Sequence, residues 1–245
     1  MAVARIDAFD FEPGHIIVGR YEIVRKLGGG WEGEVYLIKE VPTGIERAAK
    51  FFFPHRNLGN KTAQMYARRL HKLRNCPMVT HYHSQESMNY YGQQVSFIIS
   101  EFVKGELLSA FLTKLPGKKM QPYRAMHLLY TLVTGIEDIH KAEEYHGDLH
   151  TDNILIEKAG LHFRIKLIDM FNWGKYSKEN SYDDILDAIK VFYEAVGGAK
   201  SYPKLPDDVK AICCGLKKSI ISKKFRSASQ LKQYLETQDF SHHIH

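Results

Sequence analysis

Three polar side chains, two carboxylates and one carboxamide, stand where they could carry out chemistry. Asp148 and Asn153 lie five residues apart in segment 146–153, which follows a long amphipathic stretch and precedes a short apolar one. Asp169 ends a second apolar stretch, residues 165–168. A carboxylate can accept the proton of an attacking hydroxyl, and carboxylate and amide oxygens are preferred ligands of Mg²⁺. The set is therefore suited to phosphoryl transfer.

A glycine-rich segment nearer the N-terminus could bind phosphate groups. Gly28, Gly30 and Gly33 follow the pattern G-x-G-x-x-G-x-V. A strand is predicted on each side, so the segment is a hairpin and not the strand–turn–helix of a dinucleotide-binding fold. Its backbone amides can lie over a triphosphate because no side chains intervene. Lys50 follows Gly33 by seventeen residues inside an apolar strand, where a phosphate partner is favoured over a solvated edge position.

The elements that must position these residues fall into two groups. Alternating apolar residues predict five strands, over 21–27, 34–38, 46–53, 79–86 and 94–102, with one helix over 61–74. After residue 102 the apolar residues recur at helical spacing, over 126–139 and 185–196. Pro206 opens another helix, and Ser227-x-x-Gln230 is a capping box for a last one. The class is therefore α+β, with a division near 101–104.

In these motifs and their order, the sequence resembles the protein-kinase superfamily from about Pro13 to Glu236. Its opening, residues 13–23, resembles the start of eukaryotic-like Ser/Thr protein kinases of bacteria. The resemblance implies a bilobal kinase-like fold in a single domain over 1–245. The N-lobe would span 1–102, with a five-stranded antiparallel sheet, one helix and a short N-terminal extension. The C-lobe would span 103–245 and be mostly helical and reduced.

The resemblance also implies roles for individual residues, with ATP and Mg²⁺ as cofactors. Three glycines would cover the phosphates and a lysine would contact the α- and β-phosphates: Gly28, Gly30, Gly33 and Lys50. The catalytic aspartate would be Asp148, and the metal ligands would be Asn153 and Asp169. Asp184, at the start of a buried central helix, would bond back to the loop that carries Asp148. The adenine ring would lie between the side chains of Val35, Ala48 and Leu155 and contact the backbone of Glu101 and Val103.

Several positions depart from the kinase pattern. The helix after the third strand should offer a glutamate to Lys50, but the counted position is Tyr66, and 61–74 contains no acid. A charged hydrogen bond is worth roughly 1.5–3 kcal/mol, so Lys50 is loosened unless a hydroxyl, Asp169 or the nucleotide substitutes. Gly147 replaces the arginine that receives a phosphorylated activation loop. Asp169-Met170-Phe171 keeps the metal carboxylate but lacks the glycine that lets this segment flip in other kinases. Any activity is therefore expected to be constitutive.

Other departures concern the acceptor. His150 replaces the usual catalytic-loop lysine, and the motif also resembles aminoglycoside and choline phosphotransferases. His150 could act on the transferred phosphate as a catalytic residue, or pack behind the catalytic groups. The activation segment lacks Ala-Pro-Glu, the αG-type region at 198–205 is short, and Lys224 replaces a structural arginine. The sequence thus favours a Ser/Thr protein kinase, with a small-molecule kinase and an ATP-binding pseudokinase scaffold as alternatives.

The amino-acid composition narrows the possible partners and the possible cellular location. The 245 residues carry 34 basic and 28 acidic side chains, a net charge of +6 spread over helical segments, which makes a nucleic-acid partner unlikely. Three cysteines, two of them adjacent, do not form a disulfide framework, and no apolar run would span a bilayer or serve as a secretory signal. The expected location is cytoplasmic. The expected partners are ATP and a protein or small-molecule hydroxyl acceptor, with the oligomeric state left open.

Overall fold

The computed structural model describes residues 5–159, 162–170 and 174–238. The chain forms two compact units. The first comprises residues 1–75 and 79–103, and the second comprises residues 76–78 and 104–245. The segment 76–78 belongs to the second unit because the Met78 carbonyl accepts a hydrogen bond from the Leu167 amide at 2.7 Å. That the two units make one kinase-like domain stays a prediction.

The first unit is built on an antiparallel sheet. Its strands are β1 (Ile16–Ile17), β2 (Tyr21–Gly29), β3 (Gly33–Glu40), β4 (Glu46–Phe52), β5 (Tyr82–Tyr90) and β6 (Gln93–Glu101). They are arranged in the order β1-β2-β3-β4-β6-β5. The five predicted strands are confirmed, and the two-residue β1 adds a sixth at the edge by pairing with Tyr21 and Glu22.

One face of this sheet is covered by the N-terminal segment. Strand alternation turns Tyr36 and Phe51 to this face, where Phe9 packs against Phe51 in a buried aromatic cluster. The buried carboxylate of Glu34 accepts hydrogen bonds from the Phe9 amide at 3.1 Å and the Tyr36 hydroxyl at 2.8 Å. Burial and the bond to Glu34 raise the pKa of the Tyr36 phenol. Ile6, Phe9 and Phe11 of this segment therefore form part of the core.

The helix α1 (Lys61–Lys72) packs on the other face. Ala63 is fully buried against Phe52 and Ile98, and Tyr66 lies partly buried beside them. The helix begins after Asn60, and the Asn57 side chain caps it by accepting a hydrogen bond from the Ala63 amide at 3.0 Å. Tyr66, which stands where the kinase pattern has a glutamate, therefore lies on this face of the sheet.

The second unit is mostly helical. Its helices are α2 (Leu108–Thr113), α3 (Pro122–Lys141), α4 (Lys178–Ala195), α5 (Gly198–Ser201), α6 (Asp207–Cys213), α7 (Lys218–Lys224) and α8 (Ala228–Thr237). Helix α3 packs against α4 and α8. A small antiparallel sheet joins β7 (Glu106–Leu107), β8 (Ile154–Ala159) and β9 (His162–Leu167) in that order. The predicted α+β class is confirmed.

The helix ends follow the sequence signals closely. The Ser227 hydroxyl accepts a hydrogen bond from the Gln230 amide at 3.2 Å, as the capping box predicts. The Gln230 side chain instead accepts from the Arg226 amide at 2.8 Å. Between α4 and α6 lie the one-turn α5 and a short 3₁₀ turn, Tyr202–Lys204. None of the helices among the described residues combines the length and apolar character required to cross a bilayer.

Candidate active site

The glycine-rich segment forms the turn between β2 and β3. The Gly30 amide donates to the Gly33 carbonyl at 2.9 Å, which closes a tight turn. A Cβ atom at Gly33 would lie 1.8 Å from the Phe51 carbonyl oxygen, so only glycine allows β3 and β4 to approach here. At Gly28 and Gly30, no described atom lies within 4 Å of such a Cβ. Two of the three predicted glycines therefore leave space beside the backbone, and the third is required by packing.

Lys50 lies on β4, directly opposite Val35 of β3. Its ammonium Nζ lies 3.0 Å from Oε2 of Glu32, and the two side chains are 12% and 22% exposed. The Nζ atom also lies 4.8 Å from the ring centroid of Tyr66 and 5.5 Å from that of Phe52. The sequence expectation that a hydroxyl, Asp169 or the nucleotide would have to replace the missing acid overlooked Glu32. The available signal was an acid inside the turn that precedes the neighbouring strand.

The residues predicted to surround adenine are distributed over both units. In the first unit Val35 and Ala48 are half-buried, and Ala48 shares its face of β4 with Lys50. Glu101 ends β6, and its backbone amide donates to the His81 carbonyl at 2.9 Å. Val103, also half-buried, is the last residue of this unit.

Leu155 belongs to the second unit and is half-buried on β8, between Leu107 of β7 and Lys166 of β9. The small sheet β7-β8-β9 thus holds its backbone on both sides. Within each unit these side chains keep partial exposure, which a ligand-contacting residue needs. Their role toward adenine stays a prediction.

Asp148, His150 and Asn153 come together in the loop before β8. The Asn153 side-chain nitrogen donates to the Asp148 carbonyl at 2.7 Å and lies 3.2 Å from the Asp148 carboxylate and 2.9 Å from Nε2 of His150. Asn153 is buried, whereas the side chains of Asp148 and His150 are about half exposed. The arrangement places an accessible carboxylate beside a fixed carboxamide, as a base and a metal ligand require.

The backbone of this loop is hydrogen-bonded to Asp184 of α4. The fully buried carboxylate accepts hydrogen bonds from the His146 and Gly147 amides, both at 2.8 Å, and contacts Nε2 of His140 at 3.0 Å. The predicted bond from Asp184 to this loop is confirmed. Gly147 has φ of +81°, a left-handed conformation that favours glycine.

The same loop is tied to the segment that carries Asp169. Nε2 of His146 lies 3.0 Å from the Ile168 carbonyl, and the Ile168 amide donates to the Asn153 carbonyl at 3.0 Å. Asp169 itself is half-buried and has φ of +54°, which is uncommon for a residue other than glycine. Phe171, the last residue of the predicted Asp-Met-Phe motif, lies outside the described residues. The backbone bonds bring the two predicted metal ligands onto adjoining segments.

The donor set of this loop fits Mg²⁺. The Asn153 amide nitrogen donates inward to Asp148, so its amide oxygen is the end left to accept or to ligate. Asp169 adds a carboxylate, and hard oxygen donors of this kind suit Mg²⁺. His150 also has a local structural role, because its Nδ1 accepts from the Asp152 amide at 3.2 Å and caps the 3₁₀ turn Thr151–Asn153. Its two predicted roles are therefore both compatible with its position.

Lys224, predicted to replace a structural arginine, lies far along the chain from this loop. Its Nζ donates to the Ala211 carbonyl at 2.8 Å and lies 4.3 Å from the ring centroid of Tyr234. The residue therefore links α7 to α6 and α8. It has a structural position within the second unit.

A glycine-rich hairpin with a strand lysine in one unit, and a His-Gly-Asp loop followed by a second aspartate in the other, are motifs typical of the protein kinase class. Comparison with known families agrees, because residues 21–195 match the sequence model described as the protein kinase domain. The chain belongs to the protein kinase domain family.

Known proteins with related sequences include two bacterial serine/threonine-protein kinases. The chain is 32% identical to pkn2 of Myxococcus xanthus over 157 residues, which cover 63% of this chain and 18% of that protein. It is 28% identical to PrkC of Bacillus subtilis over 159 residues, 64% of this chain and 23% of that protein. The matched region thus spans less than a quarter of either relative.

Solved structures agree on the fold. A cysteine-to-alanine variant of the Mycobacterium tuberculosis PknI kinase domain superposes with a TM-score of 0.67 and 18% sequence identity. The superposition covers 93% of this chain and 98% of that one. The predicted kinase-like fold is therefore confirmed.

Proposed function

We propose that this protein is a protein kinase that transfers the γ-phosphate of ATP to serine or threonine hydroxyls with the help of Mg²⁺. The observation that carries the proposal is the loop in which the half-exposed Asp148 lies against the buried Asn153 while Asp184 fastens the backbone. The related serine/threonine-protein kinases support the choice of acceptor.

In the proposed reaction Asp148 accepts the proton of the acceptor hydroxyl, for which its exposed carboxylate is suited. Asn153 and Asp169 would hold Mg²⁺, which supplies positive charge to offset that of the phosphates. Lys50 and the backbone of Gly28, Gly30 and Gly33 would bind the triphosphate. The adenine ring would contact the side chains of Val35, Ala48 and Leu155 and the backbone of Glu101 and Val103.

A small-molecule acceptor is the second candidate. Two observations favour it. His150, in place of the usual lysine, lies 2.9 Å from the Asn153 side chain. The region between α4 and α6, where a peptide platform would lie, contains a single α-helical turn. Transfer to small hydroxyl compounds is therefore tested alongside transfer to protein.

The test is incubation with labelled Mg·ATP, first with generic acceptor proteins and then with aminoglycosides and choline. Asp148→Asn should lower protein labelling by about 100-fold or more and leave Mg·ATP binding unchanged, because it removes the base without removing a metal ligand. Glu157→Gln, which removes an exposed carboxylate on β8, is the matched control and should retain activity. Unchanged turnover in Asp148→Asn would exclude Asp148 as the base.

The other results separate the alternatives. Labelling of small hydroxyl compounds without labelling of protein would establish the second candidate. Binding of Mg·ATP without any transfer would establish an ATP-binding scaffold and overturn both enzymatic proposals.

A further inference from the structure

We infer that Glu32, in the glycine-rich turn, is the positioning residue for Lys50 and replaces the acid that α1 lacks. The inference rests on the proposed function in one respect, that Lys50 contacts the phosphates of a nucleotide. It adds a residue that the kinase pattern does not assign, because the pattern places the lysine's carboxylate partner on the helix.

The contact between the two side chains is close and largely shielded from water. Oε2 of Glu32 lies 3.0 Å from Nζ of Lys50, with exposures of 22% and 12%. A charged pair with this degree of burial is screened less by solvent than a surface pair. At the helix position predicted for the acid, the ring of Tyr66 lies 4.8 Å from the ammonium. An aromatic face attracts the ammonium without fixing the direction of its N–H bonds as a carboxylate does.

The backbone of Glu32 is attached to the strand that carries Lys50. The Glu32 carbonyl accepts a hydrogen bond from the Phe53 amide at 2.9 Å, which extends the β3–β4 ladder beyond the Gly33–Phe52 pair. The neighbouring Trp31 ring stacks on the Arg56 guanidinium, 3.8 Å from ring centroid to Cζ. These two contacts hold the turn against the segment that follows β4. The backbone of Glu32 is therefore bonded to the end of β4, the strand that carries Lys50.

The pair of Glu32 and Lys50 is compatible with phosphate binding by the same ammonium group. An ammonium has three N–H donors, so it can bind a carboxylate and a phosphate oxygen at the same time. Under the proposed function, Glu32 directs the side chain of Lys50 while the ammonium contacts the nucleotide. Glu32 therefore acts through Lys50 and does not itself bind the nucleotide. Removing the Glu32 carboxylate should weaken the binding of ligands that carry phosphates and leave the binding of ligands without phosphates unchanged.

The experiment is calorimetric titration of the full chain with Mg·ATP and with adenosine. Glu32→Gln should weaken Mg·ATP binding by roughly 10-fold, the difference between a charged and a neutral hydrogen bond. Adenosine binding should not change. Glu32→Asp keeps the charge and should restore part of the affinity. Glu22→Gln, which removes the Glu22–Lys39 pair elsewhere in the same sheet, is the matched control and should bind both ligands as the wild type does.

A double-mutant cycle shows whether Glu32 acts through Lys50. In a Lys50→Met background, Glu32→Gln should have no further effect on Mg·ATP binding. An equal loss of Mg·ATP affinity in both backgrounds would overturn the inference, as would an equal loss of adenosine affinity. Tighter Mg·ATP binding by Glu32→Gln would also overturn it, because it would show that the carboxylate competes with the phosphates for Lys50. Binding is measured without turnover, so a catalytically inactive wild type would refute the proposed function and leave this test intact.

Discussion

Replacing Asp184 with asparagine should release the loop that carries Asp148. Three donors converge on the buried carboxylate, the amides of His146 and Gly147 at 2.8 Å and Nε2 of His140 at 3.0 Å. Asparagine has one acceptor oxygen, so in either orientation its NH₂ group faces at least one N–H donor. The lost bond to a charged acceptor costs about 1.5–3 kcal/mol, and the unsatisfied buried donor adds about 1–3 kcal/mol.

Removing a buried charge offsets part of this cost, because the asparagine is easier to desolvate. We therefore expect Asp184→Asn to lower the free energy of unfolding by about 3 kcal/mol, out of the roughly 5–15 kcal/mol typical of a domain. Urea denaturation followed by circular dichroism measures the change. Turnover with labelled Mg·ATP should fall in the same variant at temperatures where it remains folded, because the Asp148 backbone is no longer held.

The adjacent residue provides the control. Asp183 carries the same charge on the same helix, but its side chain is 45% exposed and pairs with Lys218 at the surface. Asp183→Asn should therefore cost less than about 1 kcal/mol. If the two variants differ in unfolding free energy by less than about 0.5 kcal/mol, the argument from buried hydrogen bonds is wrong.

Three further predictions concern other parts of the chain. Gly33→Ala should lower the unfolding free energy by about 3 kcal/mol and abolish Mg·ATP binding, because its Cβ would lie 1.8 Å from a carbonyl oxygen, whereas Gly30→Ala should unfold like the wild type in urea. Phe9→Ala should cost about 3–5 kcal/mol, and an unchanged melting temperature would contradict the core position of this ring. Hydrogen bonds from Ser229 and Lys232 lower the pKa of Glu137 to about 2 in the folded protein. The Glu137 carboxyl therefore binds a proton more readily in the unfolded chain than in the folded one. The stability difference from Glu137→Gln, about 3 kcal/mol above pH 5, should therefore shrink as the pH falls toward 2, and a pH-independent difference in urea titrations would refute it.

The strands of the first unit could be predicted because pleated strands impose alternation on the sequence. Their ends were less accessible. The strand β2 continues to Gly29 because Gly28 and Gly29 pair with Val35 and Glu34, although consecutive glycines indicate a turn. The segment 5–11 gave no periodic signal at all. Its place in the core depends on contacts with Glu34, 25 residues away from Phe9 along the chain, and such long-range contacts leave no local pattern.

The candidate site divides in the same way. Asp148, His150 and Asn153 lie within one short loop, so their proximity follows from the motif itself. The bonds from Asp184 to this loop were predicted from the kinase resemblance and are confirmed, although they join residues that are 38 and 37 positions apart. The pair of Glu32 and Lys50 was not predicted, since it depends on how the glycine-rich turn folds back on β4. Counting along α1 placed Tyr66 at the position where the acid is missing, and the Tyr66 ring does lie 4.8 Å from Nζ of Lys50. The count gave no information on an acid supplied by another element.

The conformation of Gly147 explains how the loop can do without an arginine at this position. Its φ of +81° lies in the left-handed region, where a residue with a Cβ is strained by roughly 1–2 kcal/mol. In this conformation the Gly147 amide points to Asp184, and the buried carboxylate, together with His146, supplies the order of the loop. A side chain at 147 would therefore strain the loop at the point where its amide meets Asp184. The core of its own unit holds the backbone of the catalytic loop, and independence from phosphorylation of the activation segment stays a prediction.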